Sequence, residues 1–168
     1  MISRLVAGLQ AKNNELKYAR ITYRGEINGI PATVTPDLTL LKDSQPVGYI
    51  RVKQRKNLKI YNSDYAGLLL AGYLDSEDEK TDYGKKLIVI SYKETSGLLE
   101  ALKRLLETGM SPAKGEKWVI GIRVYDKHAA EEFLLKAINV LTRNMPPVPR
   151  ISPKCNYCSL REECPVQM

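Results

Sequence analysis

The 168-residue sequence predicts an α/β domain with a mixed central sheet flanked by helices. Three stretches carry that expectation. Leu87-Ile88-Val89-Ile90, inside residues 86–92, is the continuous apolar run of a central strand covered on both faces. Leu98, Leu99, Leu102, Leu105 and Leu106 follow at helical spacing, supplying one of the covering helices. Residues 29–57 read as a β-hairpin with polar turn chemistry at 42–46. A hairpin is antiparallel and helical crossovers favour parallel pairing, so the sheet should mix the two.

Taken in order, Ile2, Leu5, Val6 and Leu9 mark a short amphipathic helix that ends at Asn13-Asn14. Residues 16–27 favour one strand through Tyr18, Ile21, Thr22 and Tyr23, and Asn28-Gly29 is a strong turn signal. The hairpin comes next. Residues 62–74 read as a largely buried helix with an Asn or Ser cap. Gly67 and Gly72 lower its intrinsic helicity by roughly 1 kcal/mol each relative to Ala, so packing must hold it or a close approach must need the small residues. Asp75, Glu77, Asp78, Glu79 and Asp82 suit a solvated loop.

After the central strand, the helix over 95–108 has Gly109 as its C-cap residue. Residues 117–125 repeat a β-branched pattern, and Asp126 can cap a helix that continues to about Arg143. Pro146, Pro147, Pro149 and Pro153 then impose an extended connection. The expected organisation is a domain over 1–144 and a proline-rich tether with a cysteine tail over 145–168. No internal repeat is present.

Lys and Arg outnumber Asp and Glu by 26 to 19, for a formal charge of +7. That balance favours a polyanionic partner, DNA above all. No run of 18 apolar residues and no signal-peptide pattern occurs, so the expected location is cytoplasmic, with no membrane partner. Cys155, Cys158 and Cys164 all lie within ten residues. Such spacing in a reducing compartment suggests metal ligation rather than disulfides.

Strand alternation puts Arg51 and Lys53 on one face of the hairpin, where Asp37 can approach them. Arg51, Lys53, Arg55, Lys56 and Lys59 place five positive charges in nine residues, with Tyr49 and Tyr61 nearby. Such a cluster can hold nucleic-acid phosphates without reading sequence. It also suits a solvated edge strand protected from aggregation, and the two readings are compatible. His128, near a helix start, reads as an exposed polar residue.

Together, Gly25-Glu26-Ile27-Asn28-Gly29-Ile30-Pro31, Thr35-Pro36-Asp37, Val52-Lys53 and the C-x2-C-x5-C-Pro ending at Pro165 resemble the PD-(D/E)XK nuclease superfamily. More narrowly, they resemble the RecB-like exonucleases that serve as the fourth CRISPR-associated protein. The resemblance implies a restriction-endonuclease-like fold, a C-terminal cysteine knuckle and metal-dependent DNA hydrolysis. Oxygen ligands there hold Mg or Mn, which activates water and neutralises charge on phosphate. By this likeness Asp37 takes the metal-binding position and Lys53 the catalytic lysine position.

Arg51 occupies the place of the expected acid between them, and a guanidinium has no acceptor for a metal. Glu26 is the candidate replacement acid. Gly67 and Ala71 fall where the family carries a glutamine and a tyrosine on the following helix. The three cysteines match thiolates that, with a fourth from near the N-terminus, hold a four-iron, four-sulfur cluster in that family. No N-terminal cysteine precedes them, so the chain resembles a version shortened at the front. Three-thiolate ligation with an exogenous ligand, zinc completed by His128 or by another chain, and a vestigial thiol cluster are the other readings of the thiols.

The expected function is that of a DNA-associated member of this exonuclease family, weak or inactive in hydrolysis. A non-catalytic adaptor on the same fold, binding DNA or a protein partner such as an active relative, is the first alternative, and the expected partners include a protein or a second copy of the chain. A zinc-binding interaction module is the second.

Overall fold

The computed structural model describes residues 16–75, 84–108 and 113–142. The expected N-terminal helix over 2–12, most of the acidic loop, Gly109, the proline-rich tether and the three cysteines lie outside the described residues. So does the expected domain boundary at 144/145. The chain divides into two units, Met1–Leu134 and Leu135–Met168. In the second, the described part is the end of one helix and Thr142.

Among the described residues, eight strands and three α-helices follow one another as β1 (Leu16–Ala19), β2 (Tyr23–Ile27), β3 (Ile30–Val34), β4 (Leu38–Lys42), β5 (Gln45–Gln54), α1 (Ala66–Asp75), β6 (Lys86–Tyr92), α2 (Leu98–Thr108), β7 (Ala113–Lys114), β8 (Trp118–Val124) and α3 (Lys127–Leu141). A 3-10 turn at Asn62–Asp64 leads into α1. The main sheet has the order β1-β4-β5-β6-β8-β7, and β2-β3 forms a separate two-stranded sheet. Among the described residues only β5 and β6 pair in parallel, and the other ladders are antiparallel. The mixed α/β architecture agrees with the sequence.

Two expectations change. Residues 16–27 form two strands in different sheets. β1 ends where Ala19 meets Thr39, and β2 closes its own hairpin through Asn28 and Gly29, whose φ values of 50° and 77° suit a tight two-residue turn. Residues 29–34 therefore belong to that smaller hairpin. The central hairpin begins at Leu38 and turns at Asp43-Ser44, with φ of 51° and 65°.

The second change concerns crossover polarity. The crossover through α1 joins parallel neighbours β5 and β6, as expected, whereas β6 and β8 are antiparallel. The crossover through α2 reaches β7, which runs parallel to β6 one place further out, and β8 returns antiparallel into the gap. A helical crossover governs the strand it delivers, and here a two-residue edge strand is delivered first.

β6 is the axis of the core. Leu87, Ile88, Val89 and Ile90 are each no more than 1% exposed, because alternate side chains enter two separate apolar layers. Ile88, Ile90 and Tyr92 join Leu38, Leu40, Ile50, Ile120 and the buried α2 leucines Leu98, Leu102 and Leu105. Leu87 and Val89 join Tyr23, Tyr49, Tyr65, Leu68 and Ala71, so α1 and the small hairpin cover the other face. Each such aliphatic side chain contributes roughly 1.5–3 kcal/mol on burial.

Gly72 explains how α1 approaches so closely. A Cβ there would lie 2.5 Å from a ring carbon of Tyr125, so the small residue permits the contact. A partly buried polar link ties down the end of the same helix. Asp75 Oδ2 accepts from Tyr49 Oη at 2.5 Å and from Lys85 Nζ at 2.8 Å, joining β5, α1 and the residue before β6. Burial and the adjacent Asp75 carboxylate push the Tyr49 phenol far above its usual range. Among the described residues no helix is long and apolar enough to cross a membrane.

Candidate functional site

β5 is the longest strand among the described residues, and its alternation determines which side chains share a face. Tyr49 enters the layer beneath α1. Arg51 and Lys53 therefore stand on the α1 side, toward the C-terminal end of the strand. Asp37 immediately precedes β4 and faces the same region, because Leu38 pairs with Ile50.

Asp37 meets one of the two expected cations. Its Oδ2 accepts from the backbone N–H of Val52 at 2.8 Å, and Arg51 Nε stands 4.0 Å away, beyond hydrogen-bond length. Arg51 also runs past the first turn of α1: a Cβ on Gly67 would lie 3.6 Å from its Nη1. Gly67 thus faces the site, while Ala71 is fully buried in the layer beneath.

Lys53 turns to a different acid. Its Nζ donates to Asp64 Oδ1 at 2.7 Å, and the Arg55 fork donates to both oxygens of the same carboxylate, each at 2.7 Å. The backbone N–H of Tyr61 adds a fourth donor at 2.9 Å. Arg55 is held further by the Lys59 carbonyl at 2.8 Å and lies over the Tyr61 ring, 5.1 Å from its centre. The Asp64 side chain is 1% exposed.

Burial by itself would raise the Asp64 pKa, but the hydrogen bonds from Arg55, Lys53 and Tyr61 and the charge of Lys53 outweigh it. The carboxyl is held well below the usual carboxylate range. Asp64 reciprocally raises the Arg55 pKa against the opposing effect of burial. Two cations and one carboxylate leave this cluster with one net positive charge.

Asp64 was not legible as a site residue, since Asn62-Ser63-Asp64 reads as a helix start. The available signal was Lys53 and Arg55 two residues apart, a pair of like charges that needs a counter-ion. Lys56 and Lys59 are exposed and carry no ion pair among the described residues. Glu26 is exposed on β2 in the separate hairpin, and His128 is exposed in the first turn of α3.

The Mg or Mn implied by the resemblance does not fit the described carboxylates. Asp37 has a guanidinium as its neighbour, and the four donors on Asp64 include two cations. Among the described residues no three His, Cys, Asp or Glu side chains converge to hold a metal ion. The arrangement suits contacts to anions through Lys56 and Lys59, which carry no ion pair among the described residues.

Comparison with protein-family models, with curated proteins and with solved structures yields no match.

Proposed function

We propose that this chain is a DNA-backbone-binding protein on a RecB-like, CRISPR-type exonuclease scaffold, with metal-dependent phosphodiester hydrolysis weak or lost. The observation that supports this reading is the separation of the hairpin's charges. Lys53 serves Asp64 as a counter-ion, and Asp37 has Arg51 beside it where a second oxygen ligand would be needed. The surplus cations of the same stretch remain available to phosphate. No hydrolytic step through a metal is assigned to these residues.

The test is incubation of the purified protein with end-labelled DNA in Mg or Mn. Salt-sensitive binding with intact DNA is expected. Degradation that disappears in Asp37→Ala would overturn the loss of hydrolysis. Arg51→Glu tests for a decayed enzyme: gain of metal binding and cleavage marks one, and no gain shows that more than the carboxylate was lost. For Cys155, Cys158 and Cys164, iron with broad visible absorption in the purified protein would mark a cluster, and zinc would mark an interaction module.

A further inference from the structure

An open basin of about 590 Å3 lies beyond the C-terminal ends of the parallel pair β5 and β6, lined among the described residues by Gln54, Arg55, Lys56 and Lys93. The parallel register builds it. Gln54 pairs with Tyr92, and the Arg55 N–H donates to the Tyr92 carbonyl at 2.9 Å, bringing the residues after each strand together. Lys93 N–H donates to the Lys117 carbonyl at 2.8 Å, which fixes its backbone from the other side. Lys93 is 37 positions beyond Lys56, so the sequence cluster at 51–59 omits it.

The charge balance of the basin is one-sided. Lys56 and Lys93 are exposed and have no partner among the described residues, and no acid is among the described lining. The nearest acid in sequence, Glu94, is paired with Lys117. Arg55 is already positioned by Asp64 and Lys59, which leaves Nε–H and one Nη2–H without a hydrogen bond among the described residues. A held guanidinium, two ammonium groups and an amide favour a hydrated anion over an apolar ligand. Tyr61, 51% exposed and stacked with Arg55, offers an aromatic surface beside these donors.

Resting on the DNA-binding reading, we propose that this basin binds backbone phosphates of a DNA strand, with Tyr61 as the platform for an unpaired base. The grip is thereby centred on Lys56 and Lys93, away from Asp37. Arg55 is a positioned member of the basin, and a stacked base would supply the contact that phosphates alone do not.

The experiment measures fluorescence anisotropy of a labelled oligothymidylate from about 50 to 200 mM NaCl. Lys56→Gln/Lys93→Gln should weaken binding on the order of 10-fold and reduce the slope of log affinity against log salt by about 1.4, near 0.7 for each lost contact to a single strand. Lys17→Gln/Lys42→Gln, on β1 and at the far end of the central hairpin, should leave the slope unchanged. Tyr61→Leu should lose about 5-fold or more in affinity with little change in slope.

Wild-type binding with an unaltered slope in Lys56→Gln/Lys93→Gln overturns the basin and leaves the DNA-binding reading standing. No binding by the wild type at the lowest salt overturns both. Inorganic phosphate that competes at the oligonucleotide's own affinity would assign the basin to free phosphate and overturn the strand.

Discussion

Asp37 and Asp64 are two aspartates beside cations of one stretch of chain, yet their surroundings differ in kind. Asp37 is 27% exposed, with one backbone donor and a guanidinium nitrogen at 4.0 Å. Asp64 is 1% exposed and receives four hydrogen bonds, three of them from cations. An exposed pair at that separation contributes little, whereas a buried carboxylate must be fully satisfied. The acid singled out by the resemblance is thus the weakly engaged one. The acid in the turn organises Lys53, Arg55 and Tyr61.

The largest expected effect comes from removing the stronger partner. Asp64→Ala should destabilise the fold by about 3 kcal/mol in urea denaturation at neutral pH, at the low end for a broken buried pair because Lys53 and Arg55 are partly hydrated. A loss below that of Asp37→Ala would reverse the contrast.

Acid unfolding sharpens the same point. The folded Asp64 carboxyl titrates below its ordinary 3.8, so on acidification the unfolded chain takes up that proton first. Its contribution is fully present above the ordinary value and is lost as pH falls from there toward the folded-state value. Stability of Asp64→Asn, compared with the wild type by denaturant titration from neutral pH downward, should therefore fall less steeply. Parallel curves would show that Asp64 is not the titrating group.

The smallest effects belong to the other pair. Asp37→Ala leaves the Val52 N–H without its acceptor and should cost about 1 kcal/mol, while Arg51→Ala should cost about 0.5 kcal/mol or less. Equal and larger losses in both, measured by thermal or urea unfolding, would show that the 4.0 Å pair carries more than its geometry suggests.

Much of the fold was legible because apolar periodicity reports burial directly. The run Leu87 to Ile90, the leucine spacing of α2 and the Asp126 cap, whose Oδ1 accepts from Ala129 N–H at 2.6 Å, all follow from local pattern. The break between β1 and β2 was not legible. Tyr18 and Tyr23 have similar strand preference, and only their partners place them in different sheets. The site divides in the same way. Arg51 and Lys53 share a face by alternation, but sequence spacing alone could not show that Lys53 would meet Asp64, eleven positions later, rather than Asp37.

The sequence by itself determined the strongly patterned elements, the excess of cations and their density along 51–59. These depend on side-chain chemistry and on periods of two or 3.6 residues, which any local stretch reveals. Tertiary structure alone decided which acid each cation meets and that Lys93 stands beside Lys56. Those outcomes depend on strand register and on where the chain returns after a turn, and both are set by packing across the whole sheet.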